Sequence, residues 1–133
     1  MALSSCLKSN DDNAASQLTV PSGTFGGQFY VVHRKSSTTF DTTNRTNLIL
    51  TISKADGYKI TGDTSVNHAG SYGDFSMNYS QIQFLDQTMP KSGTLTKAHL
   101  SGIYNYTYDG TKFFMYNTTG DTVSVQYNFK RTN

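Results

Sequence analysis

From Leu100 to Tyr108 the chain alternates strictly. Leu100, Gly102, Tyr104, Tyr106 and Tyr108 fall on one face of an extended segment, and Ser101, Ile103, Asn105 and Thr107 on the other. Asp109-Gly110 follows at once, the residue pair that a tight hairpin demands. A period of two ending in such a turn predicts a half-buried antiparallel strand. Its inner face is rich in tyrosine, which offers an apolar ring and a polar tip. That face is expected to line the inside of a small barrel.

Seven further segments carry the same signal, over residues 24–34, 47–53, 58–62, 72–77, 81–86, 112–117 and 122–131. The acids are nine Asp and no Glu, alongside 9 Tyr, 8 Phe and 11 Gly. That balance favours strands and turns over helices. No connection is long enough for a parallel crossover, so the strands meander up and down. Closing eight of them removes both exposed edges. The prediction is an all-β fold, an eight-stranded antiparallel up-and-down β-barrel over residues 23–133, with a β-sandwich as the alternative. A net charge of +2, evenly scattered, argues against nucleic acid as a partner.

In such a meander the odd-numbered connections share one rim. Residues 35–46, 63–71 and 87–99 are then long rim loops, whereas the opposite end has only tight turns. The inward parity gathers Phe29, Tyr104 and Tyr106 inside, with His33, Asp86 and His99 near the open rim. Several tyrosine hydroxyls in one lumen need partners, which suggests a wet or occupied cavity. These six residues are the candidate contacts for a small apolar or aromatic ligand. Two other readings stay open. The lumen could be solidly packed, with rim loops 35–46 and 87–99 binding a protein or glycan. A small isomerase or cyclase could instead use Asp86 with His33 for proton transfer. His33, His68 and His99 lack the spacing of a metal motif, and no cofactor is implied.

Residues 1–22 are polar and read as a flexible tether. Within them Leu3-Ser4-Ser5-Cys6 resembles a bacterial lipobox, and Asp11-Asp12 resembles the acidic signal that sends some lipoproteins to the cell surface. Only Met1-Ala2 stand before it here, without a basic and apolar leader. The resemblance implies acylation of Cys6, with the membrane reached only through that anchor, at a bacterial outer membrane or cell surface. Gly23-Thr24-Phe25 is similar to the Gly-x-Trp opening of lipocalins, with Phe25 where that family carries Trp. Together these features resemble small surface lipoproteins with a lipocalin-like (calycin) barrel. That likeness implies a non-enzymatic carrier whose N-terminus leaves from the closed end.

Overall fold

The computed structural model describes residues 18–90, 96–120 and 122–132. Eight strands follow in chain order: β1 Gly23–Arg34, β2 Phe40–Ser53, β3 Gly57–Gly62, β4 Tyr72–Met77, β5 Gln81–Asp86, β6 Gly102–Tyr108, β7 Lys112–Thr119 and β8 Val123–Arg131. Each pairs antiparallel with its neighbour, and β8 returns to β1 to close the ring. The closed seam, with Phe29 opposite both Thr46 and Tyr127, replaces the sandwich alternative.

The inward faces carry the core, because period-two alternation puts every second residue inside. Phe25, Phe29, Leu50, Ile52, Ile60, Ile82, Phe84, Phe113, Met115, Tyr127 and Phe129 are all buried. The apolar run Phe113-Phe114-Met115-Tyr116 of β7 has no polar alternation from which its facing can be read. Phe113 and Met115 point inward, and Phe114 and Tyr116 outward. The rings meet in a continuous chain, edge to face from Tyr58–Phe84 (4.7 Å) through Phe84–Tyr104 (6.0 Å) to Tyr104–Tyr127 (5.6 Å), and tilted at Tyr127–Phe29 (5.1 Å).

One end is a floor. Its turns, 54–56, 78–80 and 109–111, are set by side-chain acceptors. Asn78 Oδ1 receives the amides of Ser80 and Gln81, and Asp109 Oδ1 those of Thr111 and Lys112. Arg131 seals this end. It donates to Gly110 O (3.0 Å), Ser22 O (2.6 Å) and the Tyr108 hydroxyl (2.7 Å), with its guanidinium 5.0 Å from the Phe25 ring centroid. The segment before β1 therefore leaves from the floor, as the count of connections requires.

Two strand starts differ by two residues or more from the sequence reading. β2 starts at Phe40, so most of the expected loop 35–46 is strand and only residues 35–39 connect β1 to β2. The register shifts between Phe29 and Val31, where Asn44 adopts φ 60° on the partner strand, and the ladder continues to Arg34↔Phe40. Residues 40–46 are mostly exposed on both faces, so no apolar alternation marks them. β6 starts at Gly102 rather than Leu100. Gly102 has φ 92°, and the bend turns Leu100 into the barrel mouth, where it is wholly buried.

Candidate functional site

The site is the mouth of the barrel, and it is closed. The β3–β4 connection and residues 96–101 of the β5–β6 connection cross it and pair with each other. His68 and Ala98 form a parallel bridge; Ala69 N–H donates to Ala98 O (2.8 Å) and Ala98 N–H to Asn67 O (3.0 Å). Lys97 Nζ adds a bond to Thr64 O (2.9 Å). β3 and β4 share only two register pairs, Tyr58↔Gly73 and Lys59↔Tyr72. One further bond joins them, Ile60 N–H to Ser71 O (2.7 Å), and beyond it the two segments part, which lets the connection turn inward.

Beneath this lid lies a polar cluster whose members are all satisfied by one another. His68 is fully buried, edge-on to Phe29 at 4.9 Å. Its Nδ1 is 2.6 Å from Ala69 O, an acceptor only, so Nδ1 carries the proton. The unprotonated Nε2 then accepts from the Tyr127 hydroxyl at 2.7 Å. Burial dominates the titration of this imidazole and lowers its pKa from 6.5 to about 4. The Ala69 carbonyl and Asp86 oppose that shift and His99 adds to it. Burial likewise pushes the Tyr58, Tyr104 and Tyr127 hydroxyls above their ordinary value. Tyr58 donates to Leu100 O (2.6 Å), and the Leu100 amide donates to the buried Ser71 hydroxyl (3.1 Å).

Beside it stands an Asp–His pair. Asp86 Oδ2 is 2.8 Å from His99 Nδ1, the carboxylate side chain wholly buried and the imidazole 10% exposed. Asp86 Oδ1 accepts from the Thr88 amide (2.8 Å) and hydroxyl (2.6 Å). A carboxylate on Nδ1 orients an imidazole as a base at Nε2. Among the described residues no hydroxyl or thiol is hydrogen-bonded to that Nε2. The geometry suits a staple that ties the end of β5 to the lid.

Of the six residues expected to contact a ligand, Phe29, Asp86, His99 and Tyr104 gather around this cluster, where they contact His68, Thr88, Tyr127 and one another's neighbours. His33 does not. It lies at the far end of β1, opposite Asp41 and Val123, on strands that rise past the rim. Asp86 accordingly pairs with His99 and not with His33. Tyr106 also lies apart, lower down, where its ring packs on Phe113 and its hydroxyl donates to Asn78 O (2.6 Å) at the floor. Cys6 lies outside the described residues. His68 lies in a connection at the rim, as expected, but its side chain turns inward and is fully buried. A loop without periodicity gives no parity from which to read its facing. Among the described residues no three His, Cys, Asp or Glu side chains converge as a metal-binding group. Comparison with protein families, curated proteins and solved structures returns no match to this chain.

Proposed function

We propose that this chain is a non-enzymatic binding module, a filled barrel held at a cell surface that meets its partner with its outer surfaces rather than with its lumen. The observation that carries the reading is the mouth. Leu100 and His68 occupy the place where a carrier would admit its guest, and the rings below them are in mutual contact. Every tyrosine tip in the upper lumen already has a protein partner, which removes the need for an occupant. Surface tethering through Cys6 rests on the lipobox-like Leu3-Ser4-Ser5-Cys6 and on the chain's departure from the floor, which leaves lid and outer wall facing away from the membrane.

Titration with N-phenyl-1-naphthylamine tests the filled lumen. The expected result is no saturable fluorescence rise on the native protein. Saturable binding in the micromolar range, displaced by a fatty acid, would restore the carrier reading. Labelled palmitate fed to bacteria expressing the gene tests the anchor. Label is expected on the parent and lost in Cys6→Ser.

A further inference from the structure

The outer wall of β7, β8, β1 and β2 has a composition that no packing requirement explains. Its side chains face away from the core, yet they form two ordered rows across the hydrogen-bonded strands. In one row Asn105 stands opposite Tyr116, Tyr116 opposite Gln126, and Gln126 opposite Tyr30. In the next, Phe114 stands opposite Asn128, Asn128 opposite Gln28, and Gln28 opposite Asn47. Rings therefore alternate with planar amides along the first row, and in the second one ring is followed by three amides. Tyr116 is 37% exposed and stacks on Phe114 at 5.7 Å with an interplanar angle of 29°. Tyr30 is half-buried, with the Arg45 guanidinium 5.0 Å from its ring centroid; Arg45 also donates to Gln28 Oε1 (3.1 Å), which fixes the arrangement. No carboxylate projects from the outward positions of β7, β8 or β1.

We infer that this wall is a binding face for an extended, uncharged polysaccharide. The inference rests on the filled-barrel reading only in that both use the outside of the molecule. A sugar ring presents a face of C–H groups, which carry slight positive charge, and an equatorial rim of hydroxyls. The negative face of an aromatic ring complements the first. Amides and the Arg45 fork, which donate and accept in fixed planes, complement the second. Tyr116 and Tyr30 lie two strands apart, ~10 Å at the ordinary strand spacing, about the length of two hexose units in an extended chain. On these two rows Arg45 is the one cation, Lys112 and Lys130 standing opposite each other in the next row toward the floor, so the rows themselves offer an acidic glycan a single charged partner. A protein partner would need a desolvated apolar anchor, whereas every ring here borders an amide or hydroxyl across the strands.

Native electrophoresis through gels containing hydroxyethylcellulose, mannan or dextran tests this, followed by amide chemical-shift mapping with a hexasaccharide of whichever polymer retards the protein. Retardation by at least one neutral polymer is expected, with shifts confined to β7, β8, β1 and β2. Tyr116→Ala and Tyr30→Ala should each weaken binding by about tenfold. Gln126→Ala, which removes no ring, should weaken it less and serves if either tyrosine variant unfolds. Absence of retardation by all three polymers would overturn the proposal, as would shifts confined to the lid. So would loss of self-association, rather than of glycan binding, in Tyr116→Ala. Naphthylamine binding in the lumen alongside glycan binding on the wall would remove the filled-barrel reading and leave this one standing.

Discussion

The His68 imidazole accepts a hydrogen bond from the Tyr127 hydroxyl at 2.7 Å, and that contact joins the lid to the centre of β8. Both partners are completely buried, so each offsets the other's desolvation, with the Tyr104 hydroxyl also hydrogen-bonded to that of Tyr127. Tyr127 also packs against Phe29, Tyr104 and Phe129, so it organises the lumen as well as the lid.

Tyr127→Phe keeps the ring and removes the donor. His68 Nε2 is left buried without a partner, at a cost of about 1–3 kcal/mol. Urea unfolding should show a lower midpoint with an unchanged slope, which separates lost stability from a change in compactness. A variant as stable as the parent would mean that Nε2 finds another donor.

Acid should destabilise the protein through His68. Burial holds its folded pKa near 4, below the ordinary 6.5, so the unfolded chain takes up the proton first. The stabilisation it contributes is fully present above pH 6.5, declines as pH falls through that value, and is lost by about pH 4. Across this window the shift is worth about 3 kcal/mol. Unfolding midpoints measured between pH 7 and pH 4 should fall, and His68→Gln should flatten that limb. An identical slope in the variant would place the proton elsewhere.

Neighbouring glycines at the closing seam should respond in opposite ways. A Cβ on Gly27 would run into the backbone carbonyl of Asn128 and the Cα of Phe129, so β1 and β8 would have to separate. A Cβ on Gly26 would meet only the Thr132 methyl, at 3.2 Å. Gly27→Ala should cost ~2 kcal/mol or more and Gly26→Ala well under half of that, read as paired thermal unfolding curves. Equal losses would show that the seam is looser than the geometry implies.

The barrel was legible in the sequence because its evidence is local. Leu48, Leu50 and Ile52, or Val125, Tyr127 and Phe129, announce their facing through a period of two. Asp109-Gly110 and Asn78 announce their turns through backbone chemistry. Counting connections then places residues 63–71 and 87–99 at the same end. What stayed hidden were contacts between elements far apart in the chain. Nothing in Asn67-His68-Ala69 marks a partner at Tyr127, 59 residues away. Asp86 was identified as a polar group facing inward, but parity paired it with His33 rather than with His99, which lies in a loop. The upper half of β2 escaped notice because residues exposed on both faces leave no periodic trace. The outer wall was visible as alternation in β8, yet its rows of rings and amides appear only when the register aligns β7, β8 and β1.

The central claim is that the two long connections form a fixed lid over a filled lumen, and amide hydrogen exchange at Ala69 and Ala98 tests it most directly. Their N–H groups donate to Ala98 O at 2.8 Å and Asn67 O at 3.0 Å, with no role in the barrel ladder. If the lid is part of the cooperative structure, both amides should exchange as slowly as those of the central barrel strands, through global unfolding. Exchange at these two amides orders of magnitude faster than in the strands would contradict the account, since the mouth would then open in the native state.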